Sequence, residues 1–295
     1  MSARVHVIGS PGNGGSVGLV QGLRRLGLDA ELRSAKGVMQ TARRGDVVIA
    51  RPDVLPTLDG VEPGLLAALL LDRRGVRVVN DAEALLVTHD KLRSAEILKA
   101  AGLPHPETCH MPADALSPPR PAPCVVKPRF GSWGRDVFRC DTDDQLARCL
   151  DDIRGRSWFK RHGALVQELL PVPGRDLRVV VAGGRVVGAA ERRAAEGEWR
   201  TNLSLGGTLA RPCLSEDAAE LARTAAAVTG ADLVGVDLLP LGGGRYAVLE
   251  LNGAVEFDER YALAGRDVFA DIAEALRLQE RVMPRLLDAA APVKV

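Results

Sequence analysis

DLVGVDLLPLGGGRYAVLELN, residues 232–252, sets two apolar runs, Leu233–Leu239 and Tyr246–Leu251, on either side of the glycine-rich turn Leu241–Gly244. That pattern predicts a buried β-hairpin. Each run carries polar residues where a core strand should have none. Side chains alternate along a strand, so Glu250 and Asn252 share a face, and the hairpin can bring Asp237 of the partner strand to the same face. Buried carboxylates cost several kcal/mol without a partner, and like charges side by side add to that cost. A hard cation such as Mg²⁺ would offset it, since that ion takes one or two carboxylates and completes its octahedron with phosphate and water. An ordinary hairpin whose acids face solvent or pair with Arg245 is the other reading.

Around this hairpin, 295 residues with 46% apolar content can bury a large core and should divide into more than one domain. A net charge of +1 gives no electrostatic case for nucleic acid or an acidic membrane as partner. The five cysteines (109, 124, 140, 149 and 213) show no CxxC or Cys/His spacing, which points to reduced thiols in a cytoplasmic protein. Neither a signal region nor a bilayer-length apolar run is visible. A homo-oligomer is compatible with this composition.

At the start of the chain, Val5–Ile8 reads as a strand. The segment Gly9-Ser10-Pro11-Gly12-Asn13-Gly14-Gly15 and an amphipathic helix at about Val17–Leu26 follow it. The spacing is neither GxGxxG nor a P-loop, so a tight turn opening a Rossmann-like unit is the better reading than a nicotinamide site. Strands at Ala30–Leu32, Asp46–Ala50 and Val76–Val79, with a helix at Pro63–Arg73, complete a parallel α/β layer ending at Asn80-Asp81. A further helix spans Asp90–Ala101, with Lys91 in its first turn, where the helix dipole disfavours a cation unless it serves an anion. Seven prolines between Pro104 and Pro123 predict a linker or surface loop.

The strand Cys124–Pro128 ends with Lys127 just ahead of the loop Phe130-Gly131-Ser132-Trp133-Gly134-Arg135. A lysine beside glycine amides is a way to grip a triphosphate, or simply a hairpin turn. A helix at Asp143–Ile153, capped by Thr142 or Asp141, precedes the strand Ala164–Leu169, whose Glu168 interrupts an apolar run. An edge strand ending there could pair its free backbone groups with an adenine ring. Leu177–Val181 and Val186–Ala190 form a hairpin about Gly183-Gly184 and run into ERRAAEGEWRTNLSLGG, residues 191–207. Arginines 178, 192, 193 and 200 concentrate there and suit bidentate recognition of carboxylate or phosphate.

In this order, Lys91, VVKPRFGSWGRDV (125–137), VQELL (166–170), DLR (176–178), residues 191–207, GVD (235–237) and LELN (249–252) resemble the ATP-grasp ligases of the RimK type. The resemblance implies an α/β (α+β) ATP-grasp fold. A Rossmann-like pre-ATP-grasp domain would occupy residues 1–80, a small subdomain with the glycine loop 88–162, and a C-terminal subdomain with the metal site 163–290. It implies ATP as co-substrate, with Lys91, Lys127 and the loop Gly131, Ser132 and Gly134 on the phosphates. Glu168 and Leu169 would lie at the adenine, Asp176 near the ribose, and Arg200, Thr201 and Asn202 along the triphosphate. Asp237, Glu250 and Asn252 would hold Mg²⁺, usually as a pair of ions, with Mn²⁺ able to substitute. Arg192 would steady the transferring γ-phosphoryl, while Arg178, Gly206 and Gly207 would line the carboxylate and amine sites.

The activity so implied is ATP-dependent carboxylate–amine ligation through an acyl phosphate, joining L-glutamate to another amino acid or small peptide. After Asn252, however, Gly253-Ala254-Val255-Glu256-Phe257 is more similar to the N-x-x-x-E-F segment of LysX-type ligases, so a protein end or carrier protein stands as the alternative acceptor. Two rival classes are a non-catalytic nucleotide-binding module and an oxidoreductase resting on the Gly9–Gly15 segment alone.

Overall fold

The computed structural model describes residues 4–279 apart from 10, 11, 13 and 172. Three sheets carry the chain. The first is built from β1 (Val5–Ile8), α1 (Gly14–Arg25), β2 (Ala30–Arg33), α2 (Ala35–Thr41), β3 (Val47–Ala50), α3 (Leu65–Arg73), β4 (Arg77–Val79) and α4 (Ala82–His89). Its strands are parallel in the order β2-β1-β3-β4, and β1 and β3 are buried at every position. Short continuous apolar runs such as VHVI and VVIA are what a parallel sheet covered on both faces requires. Helix α1 begins at Gly14, a turn earlier than its apolar pattern indicated, and Ser10, Pro11 and Asn13 of the glycine segment lie outside the described residues.

The second sheet follows α5 (Lys91–Ala100) and comprises β5 (Thr108–Met111), β6 (Cys124–Pro128), β7 (Phe138–Cys140) and, after α6 (Asp143–Ile153) and α7 (Ser157–His162), β8 (Ala164–Glu168). Its order, β5-β8-β6-β7, is antiparallel throughout and corrects two expectations. The proline-rich segment is not only a loop, because four residues free of proline between Pro106 and Pro112 pair with β8. Strand β8 is therefore interior rather than an edge, and its backbone is spent on β5 and β6 up to Glu168. Thr142 caps α6, its hydroxyl accepting from the Gln145 amide.

The third sheet holds β9 (Arg175–Ala182), β10 (Arg185–Arg193), β11 (Thr208–Ala210), β12 (Leu233–Gly242) and β13 (Arg245–Asn252), with α8 (Glu216–Val228) on one face and α9 (Val268–Ala275) on the other. The order is β11-β10-β9-β12-β13. One core packs α1 and α9 against β9 and β10, and a second packs the alanine-rich face of α8 against β9, β12 and β13. Residues 280–290 of the expected C-terminal subdomain lie outside the described residues.

Two polar links fix the first sheet to the third. Buried Asn80 donates from Nδ2 to the Leu233 carbonyl (2.7 Å) and accepts the Leu233 amide (2.8 Å), clamping the start of β12. Fully buried Arg51, just past β3, donates from Nη2 to the Val255 carbonyl at 2.6 Å and from Nε to Ser16 Oγ at 3.2 Å. The segment after β13 is thereby held against the N-terminal unit. Gly235 in β12 serves the same docking, since a Cβ there would stand 2.4 Å from Val255 Cγ2.

Candidate active site

The hairpin β12–β13 pairs Asp237 with Glu250 and Gly235 with Asn252, so the three polar side chains face one way as the alternation requires. Their cationic partners come from strands brought alongside by the sheet order. Arg178 of β9 stands opposite Asp237 and grips both of its oxygens, Nε to Oδ1 and Nη2 to Oδ2, each at 2.8 Å. Arg192 of β10 grips Asp176 of β9 in the same bidentate way (2.7 and 2.6 Å) and reaches Asp237 Oδ2 at 2.8 Å. Thr201 Oγ1 donates to Asp176 at 2.6 Å. Arg178, rather than standing free for a substrate, is locked into this network, and Asp176 is enclosed by it. Burial works against ionised Asp237, but Arg178 and Arg192 outweigh it and bring its pKa down to about 2.

Glu250 Oε2 is 3.0 Å from Lys91 Nζ, which explains a lysine in the first turn of α5. Burial acts to raise the Glu250 pKa, yet Lys91 and Lys127 win and hold it below the usual carboxylate range. Asp90 caps α5 and is itself clamped by Arg129 through Nε at 2.7 Å and Nη2 at 2.5 Å, fixing the strand end that carries Lys127 to the helix that carries Lys91. Lys127 is buried and donates to Gln167 Oε1 at 2.8 Å. Gln167, which in turn donates to Thr108 Oγ1 at 2.7 Å, is a site residue that the sequence reading passed over in favour of its neighbour Glu168. A buried polar side chain in the run ALVQE was the available signal.

Two cavities open from this centre. The first, about 160 Å³, is lined by the apolar side chains of Val125, Val137, Leu169, Leu239 and Leu249 and by the charged Lys91, Lys127, Arg192, Asp237 and Glu250. Glu168, Asp176, Gly131, Ser132, Gly134, Arg200, Thr201 and Asn202 also line it. The second, about 350 Å³, lies between α1 and the segment after β13; Arg178 and Asn252 line it, with Gly14, Gly15 and Gly18 of the N-terminal unit. Ser132, Trp133, Arg192, Asn202 and Glu250 line both cavities, so the two spaces meet at those residues. Gly206 and Gly207 line neither. Gly206 takes a left-handed φ of +87° at the end of the short 3₁₀ turn Leu203–Leu205, and the Gly207 amide bonds the Asn202 carbonyl at 3.2 Å. They shape the arginine loop rather than the cavity wall.

That loop closes on the glycine loop. Arg200 Nη1 donates to the Gly134 carbonyl at 2.8 Å and Ser204 Oγ to the Trp133 carbonyl at 3.0 Å. Trp133 and Gly134 both have positive φ, +62° and +69°, and a Cβ on Gly134 would fall 2.6 Å from Asn202 Oδ1. Only glycine permits that approach.

The donor chemistry suits a hard cation. Among the described residues no three His, Cys, Asp or Glu side chains gather as a complete metal cage. What the hairpin offers is two carboxylates and a carboxamide, with Asn252 Nδ2 turned to Asp237 Oδ2 at 3.4 Å and its oxygen left as an acceptor. Such a set leaves positions for phosphate and water, as Mg²⁺ requires.

The first cavity is lined by five cations (Lys91, Lys127, Arg175, Arg192 and Arg200) and four carboxylates (Glu168, Asp176, Asp237 and Glu250), a surplus suited to a polyanion. Burial, and then the like charge of Lys91, lower the Lys127 pKa to about 8. If Lys127 contacts phosphate, ATP affinity measured by titration calorimetry should be flat below about pH 8 and fall as the ammonium is lost above it. No change across that pH would remove Lys127 from the phosphate site.

A cleft with a lysine at the end of a strand ahead of a glycine loop, an acid-bearing hairpin, and an arginine loop bonded to the glycine loop is the arrangement of an ATP-grasp fold. Residues 88–276 match the RimK-like ATP-grasp domain model, and the chain belongs to that family. It is 32% identical over 204 residues to the tetrahydromethanopterin:alpha-L-glutamate ligase of Methanosarcina acetivorans, covering 66% of this chain and 63% of that protein. It is 33% identical over 229 residues to the ribosomal protein bS6–L-glutamate ligase of Escherichia fergusonii, covering 72% of this chain and 75% of that one. The D-alanine–D-alanine ligase from Bacillus anthracis complexed with ATP superposes with a TM-score of 0.69 at 15% identity, over 94% of this chain and 97% of that chain. Both relatives are ligases, and the superposition extends the shared fold to the N-terminal unit. Among the described residues, no helix is long and apolar enough to cross a membrane.

Proposed function

We propose that this protein is an ATP-dependent carboxylate–amine ligase that joins L-glutamate to another amino acid or small peptide. The observation that carries the reading is the meeting of the two cavities at Arg192 and Glu250: one space suits a nucleotide and the other a second substrate. The ligase relatives support it, and glutamate is common to both of their names while the partner differs. A second cavity of about 350 Å³ favours a small partner or the end of a chain.

In this reading the apolar side chains of the first cavity take the adenine, and Lys91 and Lys127 take the phosphates. Asp237, Glu250 and Asn252 would hold Mg²⁺, one ion or two, and Mn²⁺ takes the same oxygen donors. When bound, the ion supplies charge neutralisation on the phosphate oxygens. A substrate carboxylate oxygen attacks the γ-phosphorus, ADP leaves, and an acyl phosphate forms with Arg192 beside the transferring group. The amine then attacks the acyl carbon, loses a proton, and expels phosphate. Arg178 keeps Asp237 oriented rather than touching the acid, and the bonds from Arg200 and Ser204 to the glycine loop keep water from the acyl phosphate.

Purified protein given ATP, Mg²⁺, L-glutamate and a panel of amino acids and short peptides should release ADP and yield a product with the summed mass of two substrates less one water. An absence of both under every pairing would falsify the ligase reading.

A further inference from the structure

Tyr261, which lines the second cavity, is 3% exposed, and it belongs to the core that packs α1 and α9 against β9 and β10. The short 3₁₀ turn Glu259–Tyr261 carries it, capped by Asp258, whose Oδ1 accepts the Arg260 amide at 2.9 Å. Gly188 of β10 makes room for it. A Cβ there would stand 3.0 Å from the Tyr261 carbonyl oxygen and 3.3 Å from the Tyr261 Cβ, so this part of the chain lies directly on the sheet.

Packing accounts for the ring and not for the hydroxyl. A phenylalanine would fill the same space, and among the described residues the phenol oxygen has no hydrogen-bond partner. A buried hydroxyl without a partner destabilises a fold, so one set in a cavity wall is a group that a ligand can satisfy. Burial pushes the Tyr261 pKa upward, so the hydroxyl keeps its proton and meets an anion as a donor. Arg178 and Arg192 act on it more strongly than Asp237 and Asp258 do, and the local field favours negative charge. Tyr261 does not line the first cavity, which separates that anion from the nucleotide. Arg192 lines both spaces, so an acid drawn to this part of the second cavity faces the nucleotide.

We propose that the Tyr261 hydroxyl donates a hydrogen bond to the carboxylate of the acid substrate, holding one oxygen while the other attacks phosphorus. This role rests on the ligase reading and gives the reacting carboxylate a named donor. As the attacking oxygen bonds the γ-phosphorus, the bond from phosphorus to ADP breaks and its electron pair leaves with ADP. The oxygen held by Tyr261 becomes the carbonyl of the acyl phosphate. It takes up negative charge when the amine adds and gives it back when phosphate is expelled, so the same donor serves both steps. The phenol keeps its proton throughout.

Titration calorimetry of the full-length protein, saturated with Mg²⁺ and a non-hydrolysable ATP analogue, tests this with L-glutamate, L-alanine and L-alanyl-L-alanine as probes. Tyr261→Phe keeps the ring in the core and should bind the ATP analogue as the wild type does, which also reports that the variant is folded. At least one of the three acids should bind the wild type and lose about 10- to 100-fold in affinity in the variant, the worth of a hydrogen bond to a charged group. L-alanyl-L-alaninamide, which carries no carboxylate, should lose less. Equal affinity of the acids for both proteins, an equal loss for the amide, or no binding of any acid to the wild type would overturn the assignment. Hydroxylamine captures an acyl phosphate as a hydroxamate, and its use as the amine separates this role from the ligase reading. A carboxylate-dependent loss of binding without hydroxamate sinks the ligase and not the contact, whereas hydroxamate formed at equal rates by both proteins does the reverse.

Discussion

Glu250→Gln is expected to lower Mg²⁺·ATP-dependent turnover by about 10²–10³-fold, the scale set by removing one electrostatic partner from a preorganised site. The substitution keeps an oxygen for Lys91 Nζ, which stands 3.0 Å from Oε2, and the side chain is 26% exposed, so its packing is little disturbed. What disappears is a negative charge at the junction of both cavities. Without it Lys91 and Lys127 face each other with less relief, and the hairpin keeps one carboxylate, Asp237, whose oxygens already accept from two arginines. A metal donor set reduced in that way should fail in catalysis long before the fold does. The change in unfolding free energy should stay within about 1 kcal/mol, the usual limit for a partly exposed substitution that opens no cavity. Turnover at saturating Mg²⁺·ATP, measured beside a denaturant melt, checks both parts. An unaffected rate would remove Glu250 from the site.

That Glu250 could be named from the chain alone follows from a simple conflict, an acid inside an apolar strand. Asp237 was legible for the same reason, and Lys127 as a cation near the end of an apolar strand. The alternation of a strand has a period of two whatever its neighbours, so the shared face of Asp237, Glu250 and Asn252 needed only a hairpin. Sheet order is different, because nothing local encodes it. The sequence placed Arg178 and Arg192 near the site but could not show that β9 lies between β10 and β12, which is what turns Arg178 onto Asp237 and Arg192 onto both Asp176 and Asp237. Strand β8 read as an edge because its partner β5 is four residues long and hidden among prolines. Helix α4 went unread because its apolar residues surround the axis instead of marking one face, as burial among three elements demands. The second cavity was the least legible feature. Its lining runs from Gly14 to Phe269, and no window of sequence contains it.

The paired guanidiniums set the other large effect, on stability rather than rate. Arg192→Met should cost about 3–5 kcal/mol, because it leaves buried Asp176 with a single hydroxyl donor, Thr201, in place of a bidentate cation. Asp237 suffers less, since Arg178 still holds both of its oxygens. Adding Asp176→Leu removes the orphaned charge together with its partner, and replacing a buried pair by apolar side chains of similar volume is often neutral or stabilising. The double variant should therefore recover most of the lost stability in a denaturant melt, giving a strongly non-additive cycle. Its ligase activity should not return, because the cation shared by both cavities is still missing. Recovery of turnover along with stability would show that Arg192 serves only to hold Asp176 and Asp237 in place. Additive losses would show that the two side chains do not act as a pair, against the bonds of 2.7 and 2.6 Å that join them.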